Sequence, residues 1–192
     1  MGALILGLLL FLGMHSVRFV VDGWRTQVIA QRGAGVWKGL YTVVSLVGFG
    51  LIVWGYGQTR QSPQVLWASP AWTRHTAALL MMVSLVLLVA AYVPRNRIKA
   101  AVHHPMVLGV KVWALAHLLA NNTLADVLLF GSFLVWAVLD FRSARQRDRA
   151  GGVRYAAGTM PATLITVVIA ELLWVALAFW GHVRLFGVRP FG

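Results

Sequence analysis

The chain has 192 residues, is 59% hydrophobic and only 11% charged, and carries a net charge of +12. Soluble domains average about 45–50% apolar and about 25% charged, so this composition, with a mean hydropathy of +0.76, excludes an ordinary soluble domain and points to an integral membrane protein. Its basic residues lie between apolar runs, not in one patch, which argues against nucleic acid as the partner. The absence of cysteine excludes disulfides, iron–sulfur clusters, covalent c-type haem and thiolate nucleophiles. Any metal or haem has to be held by His, Met or a carboxylate.

In chain order, six runs meet the roughly 17–25 residues needed to cross a bilayer: Gly2–Val21, Lys38–Gly57, Arg74–Val93, His104–Asn121, Leu124–Phe141 and Pro161–Trp180. The expected fold is therefore an all-α integral membrane protein, a six-transmembrane-helix bundle over a single domain, residues 1–192. The first run begins without a basic segment or a small-residue cleavage site and reads as a retained helix. Arg18, Arg25, Arg32 and Lys38 surround the first connection, Arg95, Arg97 and Lys99 the third, and Arg142, Arg145, Arg147, Arg149 and Arg154 the fifth. The positive-inside rule then places these connections in the cytoplasm and both termini on the non-cytoplasmic side. Trp54, Tyr56, Trp67, Trp72 and Trp180 fall near span ends, as an interfacial aromatic belt requires, while Gly7, Gly13, Gly48, Gly50 and Gly55 would let helices approach closely.

The first span carries His15-Ser16-Val17-Arg18, and the fourth carries Lys111 and His117. Ionisable groups inside a membrane are costly and mark sites. Two histidines on two helices make a candidate pair of axial ligands, since a neutral imidazole nitrogen suits haem iron or another transition metal. Trp113, His117 and Asn121 form one stripe at i, i+4 and i+8. The bland alternative is a histidine bonded to a neighbouring carbonyl. Arg18 either snorkels to headgroups or neutralises an acid such as a haem propionate. Lys111, about 120° around the helix from His117, has the same two readings.

His103 and His104 stand at the entrance of the fourth span, with Pro105 in a first-turn position and His104 most simply an N-cap or interfacial residue. Depth leaves other pairings open: at 1.5 Å per residue His15 and His117 are not level unless the fourth helix starts late, and His104, or His182 or His75, would be alternates. Glu171, the sole glutamate, reads as a proton-transfer group or as a partner of Arg74 or His182. Asp140 and Asp126 read as a solvated helix-end charge and an interfacial charge. No G-x-S-x-G, Walker, Rossmann or H-E-x-x-H pattern occurs.

Leu12-Gly13-Met14-His15-Ser16-Val17-Arg18, Lys38-Gly39-Leu40-Tyr41-Thr42-Val43-Val44-Ser45, His104-Pro105-Met106-Val107-Leu108-Gly109, Trp113-Ala114-Leu115-Ala116-His117-Leu118-Leu119-Ala120-Asn121 and Leu185-Phe186-Gly187-Val188-Arg189-Pro190 carry a resemblance over nearly the whole chain. With these segments the sequence resembles the NnrU family of bacterial membrane proteins and, more distantly, the plant and cyanobacterial 15-cis-zeta-carotene isomerase. The resemblance implies a non-covalent haem b, with His15 and His117 as iron ligands, in a multi-pass protein of the bacterial inner membrane linked to denitrification and nitric oxide metabolism; the residue pattern adds Arg18, Lys111, Trp113 and Asn121 as the side chains expected to contact it. The isomerase has a cysteine where this chain has Ala114, so a thiolate ligand switch is excluded.

Three functions follow as expectations: a redox or regulatory haem protein, a haem-dependent cis–trans isomerase of a carotenoid- or polyprenoid-like lipid, or a small transporter or assembly factor. If the chain is an enzyme, it is a haem-dependent isomerase or oxidoreductase. A lipid bilayer is the expected partner, with a hydrophobic small-molecule substrate and a homo-oligomer left open. Six helices without an inverted repeat speak against a secondary transporter.

Overall fold

The structure, a computed structural model, describes residues 1–191 and holds eight α-helices among them: α1 (Gly2–Val20), α2 (Asp22–Thr59), α3 (Trp72–Tyr92), α4 (Arg97–Val102), α5 (Pro105–Ala120), α6 (Leu124–Ala150), α7 (Met160–Ala176) and α8 (His182–Phe186). A single π-helical turn, Leu177–Gly181, joins the last two. Five helical stretches are long and apolar enough to cross a membrane: α1, α2, α3, α6 and Met160–Phe186. The chain is a multi-pass membrane protein. The expected fourth span is α5, whose 16 residues fall short of that length.

Three boundaries differ from expectation. The first connection is helical: α2 starts at Asp22, one residue after α1, and bends at Gly33 (φ 85°), so an arginine-bearing segment precedes the apolar one. Hydrophobic periodicity finds apolar helix and misses a polar helical lead. For the same reason α6 does not end at Phe141 but continues through its charged residues to Ala150, and α7 runs on through the π turn and α8 to Phe186 instead of stopping at Trp180.

The chain packs as two compact units. The first comprises Met1–Leu66 and Thr123–Ser132. In it α1 and α2 meet backbone to backbone: a Cβ on Gly7 would come within 2.6 Å of Ile52 N, one on Gly48 within 2.7 Å of Phe11 N, and one on Gly55 within 2.3 Å of Leu4 N. This antiparallel register sets Tyr41 and Ser45 of α2 alongside the His15 turn of α1. Gly13 and Gly50, expected at the same seam, face nothing within 4 Å. They share the composition of the seam glycines and lie on the wrong helix face.

The second unit comprises Trp67–Asn122 and Phe133–Gly192. There α3 packs on α5 and α7. Fully buried Ser84 donates to the Gly109 carbonyl at 2.8 Å, and the Trp174 indole donates to the Ala78 carbonyl at 3.0 Å. Asn96, 1% exposed, ends α3 and starts α4: its Nδ2 donates to the Ala90 and Val93 carbonyls and its Oδ1 accepts from Lys99 N. Buried polar groups need such full satisfaction.

Candidate functional site

In the first unit His15 sits half-buried on α1, four residues after Phe11. Its Nδ1 lies 2.7 Å from the Phe11 carbonyl oxygen. A carbonyl has no proton to give, so the ring nitrogen donates, and in a neutral imidazole Nε2 is then the nitrogen that carries the lone pair. The Phe11 ring stacks on the imidazole at 4.2 Å and the Tyr41 ring approaches it at 5.0 Å. Ser16 beside it donates to Leu12 O at 2.6 Å. One turn beyond Tyr41, Ser45 Oγ is buried with no hydrogen-bond partner among the described residues. Arg18, in the last turn of α1, is exposed.

In the second unit His117 repeats the arrangement. Its Nδ1 lies 2.8 Å from the Trp113 carbonyl oxygen, and the Trp113 and His117 rings are 5.3 Å apart. Phe133 meets Trp113 edge-on at 5.4 Å. The expected stripe loses its third member: Asn121 caps the end of α5 in extended conformation (ψ 156°), bound through its backbone N to His117 O. Helical spacing predicts a stripe only while the helix lasts. Among the described residues no acid pairs with Lys111; its Nζ lies 4.0 Å over the Phe141 ring, a cation–π contact.

His104 has a partner that the sequence did not reveal. Pro105 does open α5, and His104 occupies the N-cap position, yet its side chain makes no cap. Instead Nε2 lies 2.8 Å from Asp148 Oδ2, which also accepts from Tyr155 Oη at 3.0 Å. His103, in the left-handed region at φ 68°, stacks on Tyr155 at 4.1 Å and binds Arg145. These contacts clasp the charged end of α6 to the α4–α5 turn. Burial pushes the Asp148 carboxyl up, but the hydrogen bonds from His104 and Tyr155, and the His104 and Arg145 charges, outweigh it and hold the group below its ordinary range. Burial, then the Asp148 bond, raises the Tyr155 phenol.

Of the other alternates, His182 on α8 holds Nδ1 2.7 Å from the Val188 carbonyl oxygen, and exposed His75 stacks on Phe191 at 6.2 Å. Among the described residues, no group of three or more His, Asp or Glu could hold a metal ion.

Sequence reasoning missed a second polar network, in the first unit. Asp126, expected at an interface, is 5% exposed. Its Oδ1 accepts from Tyr56 Oη at 2.5 Å, and its Oδ2 from Thr123 N and Oγ1. Asp126 N in turn donates to Thr123 Oγ1. The Thr123-x-x-Asp126 spacing is a capping-box signal of the kind S/T-x-x-E carries, and it was available in the sequence. No sequence signal links Tyr56 to it. Asp140, expected as a solvated charge, lies 4.0 Å from Arg147 Nη2 with a largely buried side chain.

A family model described as NnrU protein matches residues 3–190, and the chain belongs to that family. No curated protein and no solved structure matches the chain.

Proposed function

We propose that this NnrU-family chain is a membrane haem b protein, with the Nε2 atoms of His15 and His117 as its iron ligands and a redox or regulatory role. The observation that carries the reading is the pair of i−4 contacts, His15 Nδ1 to Phe11 O and His117 Nδ1 to Trp113 O. A metal-binding imidazole normally donates its other ring nitrogen to a carbonyl or carboxylate, which fixes both tautomer and ring orientation. Each of these two histidines carries that support within its own helix. His104 has its support on the other nitrogen, Nε2 against the Asp148 carboxylate, so Nδ1 would be the atom it offers a metal. His182 shares the carbonyl contact, and His104 and His182 both stand as alternates.

The surroundings suit a porphyrin in kind. Phe11, Tyr41 and Trp113 put aromatic faces beside the two imidazoles, and the buried Ser45 hydroxyl has hydrogen-bonding capacity to offer. Arg18 and Lys111 are the cations assigned to the propionates. When bound, the haem would supply one-electron chemistry, or small-ligand chemistry such as nitric oxide binding if one axial position opens. The chain's own residues hold, orient and desolvate it. The family resemblance ties that chemistry to denitrification in the bacterial inner membrane, with the arginine-rich connections facing the cytoplasm.

The test is to express the full chain with haem supplied, purify it in mild detergent and record oxidised and reduced absorption spectra. A Soret band with sharp α and β bands on reduction is expected for six-coordinate haem b. A colourless, folded protein would overturn the proposal.

A further inference from the structure

α1 and α2 are long and apolar enough to cross a bilayer and pack antiparallel, so the segment that joins them lies at one membrane surface. That segment is not a bare loop. Residues 22–32 are helical, and Gly33 (φ 85°, ψ 156°), in a region open essentially only to glycine, bends the chain before α2 resumes. Beyond the bend, Trp24 meets Trp37 edge-on at 5.7 Å, and the Arg25 guanidinium lies 5.9 Å over the Trp37 ring. Trp37 is buried. The short helix is therefore pinned against the base of α2.

Carried on past Phe11 and Gly48, the α1–α2 register sets Arg18 level with Tyr41 and Val21 level with Lys38. Arg18, Arg25, Arg32 and Lys38 thus gather at one end of the first unit. Asp22 is the one acid among them, and Arg25 takes it at 3.1 Å. Arg18, Arg32 and Lys38 are exposed, and among the described residues no ion pair engages them. The other charged residues of this unit, Arg60 and Asp126, belong to its opposite end, at the close of α2 and beside Tyr56. Between the cations stand exposed apolar side chains, Val20, Val21, Trp24 and Val36.

Uncompensated cations interleaved with exposed valines and a tryptophan suit the zone where a bilayer passes from hydrocarbon to headgroup. A soluble acidic partner would complement the charge and leave the apolar side chains unexplained. The membrane surface, to which α1 ties the segment at Val20, complements both. We infer that residues 22–38 form an interfacial site for acidic phospholipids, in which Arg32 and Lys38, with Arg25 held over Trp37, bind the headgroup phosphates. Arg18 adds to the positive field at that end. The site is independent of haem.

Native mass spectrometry of the full chain, released from nanodiscs of equimolar phosphatidylcholine and phosphatidylglycerol, tests this. The parent should retain phosphatidylglycerol in excess. Arg32→Gln combined with Lys38→Gln should weaken that retention roughly fivefold per cation removed, with the helical circular dichroism of the parent kept. The charge-keeping exchange of Arg32→Lys with Lys38→Arg should retain the lipid as the parent does. Equal retention of the two lipids by the parent would overturn the inference. So would undiminished phosphatidylglycerol in the glutamine variant, which would leave these cations to a soluble acidic partner. An equal loss in the charge-keeping exchange would also overturn it, by assigning the effect to side-chain shape.

Discussion

The imidazole of His117 donates through Nδ1 to the carbonyl oxygen of Trp113, one helical turn back, at 2.8 Å. His15 does the same with Phe11 at 2.7 Å. Each contact fixes a tautomer whose Nε2 carries the lone pair, and Trp113 adds an aromatic face beside the second ring. If that nitrogen binds iron, deleting the ring leaves a space that imidazole itself can fill. His117→Gly should lose the reduced α and β bands, and millimolar imidazole should restore them. Bands that persist without imidazole would remove His117 from the ligand set.

The α1–α2 seam makes a sharper prediction about stability. A methyl on Gly55 meets the Leu4 backbone at 2.3 Å, whereas one on Gly50 meets nothing within 4 Å. Overpacking costs about 1–3 kcal/mol, and Gly to Ala at an unhindered helical site gains about 0.5–1 kcal/mol. Thermal unfolding in detergent should therefore show Gly55→Ala melting below the parent and Gly50→Ala at or above it. Equal melting of the two variants would refute the backbone contact.

Tyr56 and Asp126 join two segments 70 residues apart. Removing the phenol hydroxyl takes one of three donors from a nearly buried carboxylate. Tyr56→Phe should destabilise the chain by about 1.5–3 kcal/mol, the cost of a lost hydrogen bond to a charged group. Denaturant titration measures it, and no change in midpoint would mean the bond contributes nothing.

The clasp at Asp148 has a pH signature. Its carboxyl is held below the ordinary range, net of burial, by His104, Tyr155 and Arg145. A carboxyl depressed in the folded state stabilises above its unfolded pKa, about 3.9 for aspartate, and that contribution is lost as pH falls through the folded value. Melting temperature should drop on acidification below about pH 4, and Asp148→Asn should flatten that drop while lowering stability near neutrality. An acid limb unchanged in the variant would assign the drop to another group.

How much of this was legible in the sequence follows from the range of each signal. Hydrophobic runs located α1, α3, α5 and the apolar parts of α2, α6 and α7, because burial in lipid is a local property of composition. Polar helical extensions at Asp22–Arg32 and Arg142–Ala150 were not legible, since nothing apolar marks them. Pro105 announced the start of α5, and His15 and His117 stood out by the cost of an imidazole in an apolar run. The fate of His104 was hidden because its partner Asp148 lies 44 residues on, and no local spacing encodes that meeting. Gly7, Gly48 and Gly55 could not be told from Gly13 and Gly50 without the register of α1 on α2.

His15 and His117 are proposed to hold a haem iron. The most direct measurement is the reduced-minus-oxidised absorption spectrum of the purified parent recorded beside His15→Ala, His117→Ala and His104→Ala. A haem b spectrum is expected in the parent, altered or lost in the first two variants and retained in the third, where only the Asp148 clasp is broken. A parent without haem, or spectra identical in parent, His15→Ala and His117→Ala, would contradict it.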